Sequence, residues 1–208
     1  MPTRGLFLTF EGGDGSGKST QVALLTEWLA QHERTVVHAR EPGGTELGIE
    51  LREIILHRRG YIAPRAEALL YAADRAHNIA TVVRPALERG DIVIQDRYLD
   101  SSVAYQGAGR VLDPDEVREV SLWATEGLLP DLTVLLDLDI ETGRARLDDT
   151  RTRYDRLEAE AAEFHHRVRE AYLGLAAAQP QRFLVLDAAE PVDVLAERIR
   201  GRVSDLLA

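Results

Sequence analysis

An eight-residue segment points to the architecture of this chain: Gly12-Gly13-Asp14-Gly15-Ser16-Gly17-Lys18-Ser19. It matches the pattern G-x-x-x-x-G-K-[ST], in which backbone N–H groups surround the phosphate oxygens of a nucleotide. The apolar residues 6–10 before it predict a buried strand. Apolar residues after it recur at helical spacing, at Val22, Leu25 and Leu29. This strand–loop–helix context predicts a phosphate-binding loop, or P-loop.

Each part of the P-loop has a physical task. The glycines accept positive φ and let the backbone approach phosphates closely. The lysine reaches the β- and γ-phosphates, and the serine hydroxyl ligates Mg²⁺. We therefore predict an ATP site formed by Gly12, Gly13, Asp14, Gly15, Ser16, Gly17, Lys18, Ser19 and Thr20.

The lysine at position 18 is the only one in the sequence, since the other 24 of the 25 lysine and arginine residues are arginines. A compact ammonium fits between phosphates, whereas a planar guanidinium does not, which explains why this lysine is present. The lysine count also argues against several classes of nucleotide-binding protein. Guanine-specific switches use an N-K-x-D sequence, regulatory ATPases of one type need an earlier loop lysine, and protein kinases need a strand lysine.

The composition limits the function further. The chain has 208 residues and 45% hydrophobic content, enough for one α/β domain over residues 1–208. Its formal net charge of −10 argues against a general nucleic-acid binder, which needs a basic surface. There is no cysteine, and the N-terminal apolar stretch is too short for a signal peptide or membrane span. We expect a cytoplasmic protein that binds neither nucleic acid nor membrane.

Strands and helices alternate along the chain. Apolar runs predict further strands at 36–39, 92–95, 132–136 and 183–186. Helical patterns lie at 47–56, from Pro64 onward, and at 114–125, 157–178 and 192–207, and Pro85 should end or kink the helix that begins at Pro64. The order predicts an α/β fold of the P-loop NTPase type, with a five-stranded parallel sheet sandwiched by helices. Ligands bind such sheets beyond the carboxyl ends of the strands.

Two further features concern charge. Asp96 follows the strand predicted at 92–95, which is the usual setting for a carboxylate that helps to hold Mg²⁺, although helix capping is a common alternative. The P-loop favours the metal role, so we predict Ser19 and Asp96 as metal-site residues.

Residues 144–156 form an irregular segment. Without the other motifs, we would interpret it as a solvated surface loop. It contains five arginines: Arg144, Arg146, Arg151, Arg153 and Arg156.

Three strings of residues resemble the bacterial thymidylate kinase family, in that family's order along the chain. They are REPGGT at 40–45, LYAADR at 70–75 and DRYLDSSVAYQG at 96–107. The resemblance runs from Phe7 to about Phe183, and DRLE at 155–158 resembles the end of the family's lid. It implies a P-loop kinase with a short lid at about 144–156. Its expected reaction is the phosphorylation of dTMP to dTDP with Mg·ATP, for dTTP and DNA synthesis.

The resemblance also implies the roles of residues on the dTMP side. Tyr71 would stack on the thymine ring and Arg75 would donate to its O4, and a spacing of four residues does place them on one helix face. Arg52 and Arg97 would clamp the dTMP phosphate, Asp14 would receive the sugar 3′-OH, and Tyr105 would crowd the 2′ position. The whole predicted dTMP site is Asp14, Glu41, Arg52, Tyr71, Arg75, Arg97, Ser102, Tyr105 and Gln106.

The chain departs from the family pattern at two positions. Tyr71 stands where many relatives have phenylalanine, and Gly15 stands where one branch of the family has a catalytic arginine. The other branch supplies that cation from the lid, which gives the arginines of 144–156 a purpose. We predict Lys18, Arg97, Arg151 and Arg153 as the catalytic residues, with Arg144 or Arg146 against the adenine.

Two alternatives remain open from the sequence. The chain could be another nucleoside-monophosphate kinase, acting on UMP, CMP or AMP, or a protein that uses ATP as a switch without transferring phosphate. The resemblance also implies a homodimer, and the apolar residues of the helices at 64–81 and 114–125 would permit one.

Overall fold

Five parallel strands form one sheet in the computed structural model, which describes residues 4–58, 60–110, 112–148 and 155–207. The strand order is β2-β3-β1-β4-β5, and every neighbouring pair is parallel. The strands are β1 Phe7–Glu11, β2 Val36–Arg40, β3 Ile92–Asp96, β4 Leu132–Asp137 and β5 Phe183–Asp187. The predicted α/β fold of the P-loop NTPase type is confirmed, and each predicted strand is present within one residue of its expected bounds.

Helices connect the strands. The longer ones are α1 Lys18–Gln31, α3 Pro64–Asn78, α6 Pro114–Ala124, α8 Ala162–Ala178 and α9 Val192–Leu207. The shorter ones are α2 Glu46–Arg52, α4 Arg84–Glu88, α5 Leu99–Ser102 and α7 Ile140–Asp148. Three widened π-helical segments extend α2, α3 and α5, at Glu53–His57, Ile79–Val83 and Val103–Gly109. No described helix is long and apolar enough to cross a membrane.

Apolar side chains bury both faces of the sheet, as expected for a parallel sheet covered by helices. On one face Leu25 and Leu29 of α1 and Ile199 and Val203 of α9 pack with the sheet residues Leu8, Phe10, Ile92, Ile94, Leu132 and Val134. On the other face, the sheet residues Phe7 and Val93 pack with Val83, Ala86, Leu87, Tyr98 and Leu99. A third cluster joins α8 to the segment after α5 through Tyr105, Phe164, Val168 and Tyr172.

The strand register brings three loops to one edge of the sheet. Phe10 of β1 and Arg40 of β2 both pair with Asp96 of β3. The P-loop after β1, the loop after β2 and the loop after β3 therefore leave the sheet side by side, at the carboxyl ends where α/β sheets bind ligands.

Two helix predictions needed correction. The predicted helix at 157–178 begins only at Ala162, because the Asp155 carboxylate accepts hydrogen bonds from the backbone N–H groups of Leu157 and Glu158 at 2.8 and 2.9 Å and forms a turn instead. The helix predicted at 47–56 is regular only to Arg52 and then widens into the first π-helical segment.

Pro85 does interrupt its helix, as predicted. The regular α3 ends at Asn78, a π-helical segment follows, and Pro85 lies in the first turn of α4, where its missing N–H is tolerated. The chain therefore stays helical from Pro64 to Glu88, in three consecutive segments without a loop.

Candidate active site

The P-loop is shaped by glycines in the left-handed region. The φ angles of Gly12, Gly15 and Gly17 are 131°, 76° and 90°. A Cβ on Gly15 would lie 2.4 Å from the carbonyl oxygen of Gly143, so this position cannot carry a side chain while α7 stays where it is. The loop of this chain therefore has no room for the arginine that one branch of the resembling family has there.

Lys18 is held inside the loop that precedes it. Its Nζ donates to the carbonyl oxygens of Gly12 and Gly13 at 3.0 and 2.9 Å, and the residue is 8% exposed. Burial, followed by the nearby cation of Arg97, lowers the pKa of the Lys18 ammonium to about 8, although the carboxylates of Asp14 and Asp96 oppose this. Burial and Arg97 destabilise the charged form of Lys18. Phosphates bound beside it would stabilise that charge.

Arg97 connects the P-loop to the loop after β3. Its Nη2 donates to Asp14 Oδ1 at 2.6 Å, and its guanidinium carbon lies 5.1 Å from the centre of the Tyr105 ring. Burial alone would raise the pKa of Asp14, but Arg97 and then Lys18 outweigh burial and lower it. Arg97 itself has a φ of 63°, which is uncommon for a residue with a side chain.

One cavity of about 740 Å³ joins these elements. It is lined by nearly all the residues predicted from the sequence: Asp14, Gly15, Ser16, Gly17, Lys18, Ser19, Thr20, Glu41, Arg52, Tyr71, Arg75, Asp96, Arg97, Ser102, Tyr105 and Gln106. Gly12 and Gly13 contribute backbone to the P-loop and line a smaller neighbouring pocket. A volume of this size suits a large organic ligand.

The Arg75 guanidinium is almost fully engaged within the protein. It is 1% exposed, and it donates from Nε to Glu41 Oε2 at 2.7 Å and from Nη1 to Ser121 Oγ at 3.0 Å. Its Nη2 donates to the Tyr98 carbonyl oxygen and to Ser102 Oγ, at 3.2 and 3.0 Å. Four of its five N–H groups therefore have protein acceptors, which fixes its direction at the cavity wall.

Glu41 also lines the cavity and holds the Arg75 guanidinium in place. It is 4% exposed, follows β2 directly, and precedes a cis peptide bond to Pro42. Asn78 Nδ2 donates to its Oε1 at 3.2 Å, and burial raises its pKa to about 7 while Arg75 opposes that rise. Glu41 therefore orients the arginine, and both of its oxygens are already used.

Glu67 is a site residue that the sequence reasoning missed. It is fully buried on α3 and accepts hydrogen bonds from Gln106 Nε2 at 2.9 Å, from Arg110, and from Arg156. It thereby fixes the amide of Gln106, which lines the cavity. Its position four residues before Tyr71, on the same helix face, was the available signal.

Ser19 and Asp96 have the chemistry of a small metal site. Ser19 lines the cavity, and the buried Oδ1 of Asp96 has no hydrogen-bond partner among the described residues. The described residues contain no cluster of three or more His, Cys, Asp or Glu side chains that could hold a metal. Few protein ligands suit Mg²⁺, which keeps waters and takes phosphate oxygens from the nucleotide, so the two residues fit this ion.

The described arginines of 144–156 contact different parts of the molecule. Arg146 lines the large cavity and donates to the carbonyl oxygens of Gly15 and Ala188 at 3.3 Å, whereas Arg144 lines the smaller pocket. The structure thus brings Arg146, and not Arg144, to the cavity. Arg151 and Arg153 lie outside the described residues, and Arg156 Nε donates to the Ile55 carbonyl oxygen at 2.8 Å.

Comparisons with known proteins identify a family and relatives of this chain. The family model described as thymidylate kinase matches residues 10–199. A thymidylate kinase of Leifsonia xyli subsp. xyli (strain CTCB07) is 74% identical over 205 residues, which cover 98% of this chain and 97% of the relative. The thymidylate kinase of Clavibacter sepedonicus is 70% identical over 204 residues, covering 98% of this chain and 97% of its own. That of Bifidobacterium longum (strain DJO10A) is 51% identical over 206 residues, covering 97% of this chain and 98% of its own.

Proposed function

The chain belongs to the thymidylate kinase family and phosphorylates dTMP with ATP as the phosphoryl donor, and we propose that the transfer takes place in the cavity beside the P-loop. The contact that supports this assignment most directly is the one between Arg97 and Asp14, at 2.6 Å. It joins the loop that binds phosphates to the loop that carries the acceptor-side residues. Donor and acceptor phosphates bound on either side would therefore meet at this contact.

The donor side is formed by the P-loop. Its backbone N–H groups and Lys18 would hold the ATP phosphates, because unpaired donors and positive charge converge there. Ser19 and Asp96 would hold Mg²⁺, which supplies neutralisation of the β- and γ-phosphate charge when bound. Arg146 contacts the backbone of Gly15 and Ala188, and it would lie against the adenine of the donor.

The acceptor side is formed by side chains from β2, α3 and the segment after α5. Tyr71 and Gln106 would contact the thymine, and the remaining N–H of Arg75 would donate to it. Arg52 Nη1 donates to the Pro42 carbonyl oxygen at 2.9 Å, and from this position its guanidinium would bind the dTMP phosphate together with Arg97. Asp14 would receive the sugar 3′-OH, and Tyr105 would crowd the 2′ position.

The chemistry needs no general base. An oxygen of the dTMP phosphate forms the new bond to the γ-phosphorus, and the bond from that phosphorus to the β,γ-bridging oxygen breaks, so the products are dTDP and ADP. The attacking oxygen is already anionic at neutral pH. The protein contributes alignment of the two phosphates and compensation of their charge, through Lys18 and Arg97. The family resemblance assigns a further cation to Arg151 or Arg153, since Gly15 cannot supply one.

The test is the formation of ADP and of the diphosphate product from Mg·ATP with dTMP, dUMP, UMP, CMP or AMP in turn. We expect the highest kcat/KM with dTMP. A higher kcat/KM with UMP, CMP or AMP would assign the chain to another nucleotide kinase. ADP release that does not depend on any acceptor would indicate an ATP-driven switch.

We further propose that the chain forms a homodimer through α3 and α6. Leu69 and Trp123 are 59% and 83% exposed on these helices, and Arg65 and Glu116 join the helices at 3.0 Å. Light scattering should give twice the monomer mass for the native chain, and Trp123→Glu should give the monomer mass.

We also propose that the protein is cytoplasmic, because its reaction uses ATP.

A further inference from the structure

A carboxylate without a salt bridge among the described residues lies at the end of β1. Glu11 is fully buried, and its only described partners are hydrogen-bond donors. Its Oε1 accepts from the backbone N–H of Tyr98 at 2.8 Å, and its Oε2 accepts from the hydroxyls of Ser101 and Tyr172 at 2.6 and 2.8 Å. Burying a carboxylate costs more free energy than burying an apolar side chain, so stability alone does not explain why this position carries a glutamate.

The oxygens around Glu11 form a close triangle. Ser101 Oγ and Tyr172 Oη are 2.7 Å apart, and each is within hydrogen-bond distance of Glu11 Oε2. An ionised Glu11 can only accept, so at least one hydroxyl donates to it, and either hydroxyl can donate across the 2.7 Å contact between them. In each arrangement both hydroxyl oxygens keep a lone pair for a further donor.

Those lone pairs face Arg97. Its Nη1 lies 3.4 Å from both Ser101 Oγ and Tyr172 Oη, while its Nη2 donates to Asp14. The pKa of Glu11 reflects the same arrangement: burial, and then the charge of Asp100, raise it to about 7, and Arg97 opposes the rise. The guanidinium is thus held between two carboxylates, one directly and one through two hydroxyls.

The backbone of Arg97 is fixed by the same group of residues. Its φ of 63° is held by a hydrogen bond from its own N–H to the Phe10 carbonyl oxygen at 3.0 Å. Gln95 Nε2 donates to its carbonyl oxygen at 2.9 Å, and Glu11 takes the next N–H, that of Tyr98. Glu11 therefore contacts both the backbone that sets the origin of the side chain and the hydroxyls at its end.

We propose that Glu11 and Tyr172 are positioning residues for phosphoryl transfer, which aim the Arg97 guanidinium at the meeting point of the two phosphates. The inference rests on the proposed function, because it assumes the role of Arg97 in that reaction. Tyr172 lies on α8, far from the P-loop in sequence, so the packing of α8 would directly affect the alignment of a catalytic cation.

The first test compares Tyr172→Phe with Thr9→Val. Tyr172→Phe removes one hydroxyl and keeps the ring, whereas Thr9→Val removes an equally buried hydroxyl, paired with Thr133 Oγ1 at 2.8 Å, from the same strand as Glu11. We expect Tyr172→Phe to lower kcat/KM for dTMP by roughly 10-fold or more, with the KM for ATP changed by less than about twofold. Thr9→Val should change neither parameter by more than about twofold. Equal kinetic losses in the two variants would overturn the proposal.

The second test is a double-mutant cycle with Arg97→Lys. If Tyr172 acts through the guanidinium, Tyr172→Phe should change kcat/KM by less than about twofold once Arg97 is lysine. A full additional 10-fold loss in that background would overturn the proposal. Glu11→Gln keeps the side-chain shape but disturbs both hydroxyls and the Tyr98 amide, so it should lower kcat/KM more than Tyr172→Phe does, by roughly 10²-fold.

Failure of this inference can be told apart from failure of the proposed function. A native chain that forms no dTDP would contradict the function. A native chain that forms dTDP, together with a Tyr172→Phe variant of unchanged kinetics and unchanged fold by circular dichroism, would contradict only the positioning role.

Discussion

The two sides of the cavity are built on different principles. The P-loop consists of eight consecutive residues, and its shape comes from glycines with positive φ and from one lysine held by loop carbonyls. The opposite side, which we call the acceptor wall, consists of Glu41, Arg75, Ser102 and Gln106, from three separate segments: the loop after β2, α3, and α5 with its π-helical extension. Each wall residue already has a hydrogen bond to another protein side chain. One side is thus set by local backbone conformation and the other by buried side-chain contacts.

This difference predicts different costs of substitution. A change in the P-loop should remove activity and leave the free energy of unfolding nearly unchanged, because few of its side chains support the core. A change in the acceptor wall should reduce both, because a buried polar group that loses its partner is costly.

The largest effect is expected for Lys18→Arg. The planar guanidinium cannot replace an ammonium that lies against the Gly12 and Gly13 carbonyl oxygens, so kcat/KM should fall by at least about 10³-fold. The circular dichroism spectrum and the urea midpoint should match the native chain. Retention of more than a tenth of the activity would show that the ammonium is not essential here.

The next largest effect is expected for Arg75→Met, which leaves the buried Glu41 carboxylate without its cation. The free energy of unfolding should fall by about 3 kcal/mol at pH 8, as measured by urea denaturation. Burial raises the pKa of Glu41 to about 7 with Arg75 present, and removing that cation raises it further. The loss should therefore shrink as the pH falls from 8 to about 7, and below that value its charge-dependent part should be absent, because a neutral carboxyl needs no cation.

Arg198→Met on α9 is the control, because it lies outside both the acceptor wall and the proposed dimer interface. Arg198 pairs with Glu190 at 2.8 Å, but the arginine side chain is 52% exposed, so we expect a change below about 0.5 kcal/mol. Equal losses of unfolding free energy in the two variants would show that the buried pair of Arg75 and Glu41 contributes no more than an exposed pair.

The pH dependence of activity should report on the P-loop. The pKa of Lys18 is lowered to about 8, so the free enzyme loses this charge as the pH rises through that value. The kcat/KM for ATP should then fall by about tenfold per pH unit, while kcat should stay level to higher pH because bound phosphates restore the charge. Rate measurements between about pH 7 and pH 10 would test this. A kcat/KM for ATP that is level across the whole range would contradict it.

The smallest effect is expected for Ser102→Ala, in which Arg75 Nη2 loses one of its two acceptors. The free energy of unfolding should fall by about 1 kcal/mol, and the KM for dTMP should rise by about threefold. Ser121→Ala removes the acceptor of Nη1 but does not line the cavity, so it should have the same effect on stability and none on the KM. A rise of the KM in both variants would show that the wall acts only through its stability.

The sequence predicted the fold and most residues of the cavity, because strand patterns, the P-loop and the three family strings are local features. It missed Glu67, Glu11 and Tyr172, whose roles depend on contacts across the fold. Glu11 ends an apolar strand and Tyr172 lies on the buried face of a helix, and each would be taken for an ordinary position of its element. The predicted helix start at 157 was wrong because a single aspartate side chain bonded to the backbone instead.

The sequence alone predicts the phosphate-binding role of residues 12–19, since these residues are contiguous and the predicted role depends only on their glycines and their single lysine. The tertiary structure decided how much freedom each cavity residue has. Arg97 and Asp14 are 83 positions apart in sequence and Arg75 and Glu41 are 34 apart, yet both pairs are in direct contact. The burial and the partners of these side chains depend on which distant segments the folded sheet brings together, so no short stretch of residues determines them.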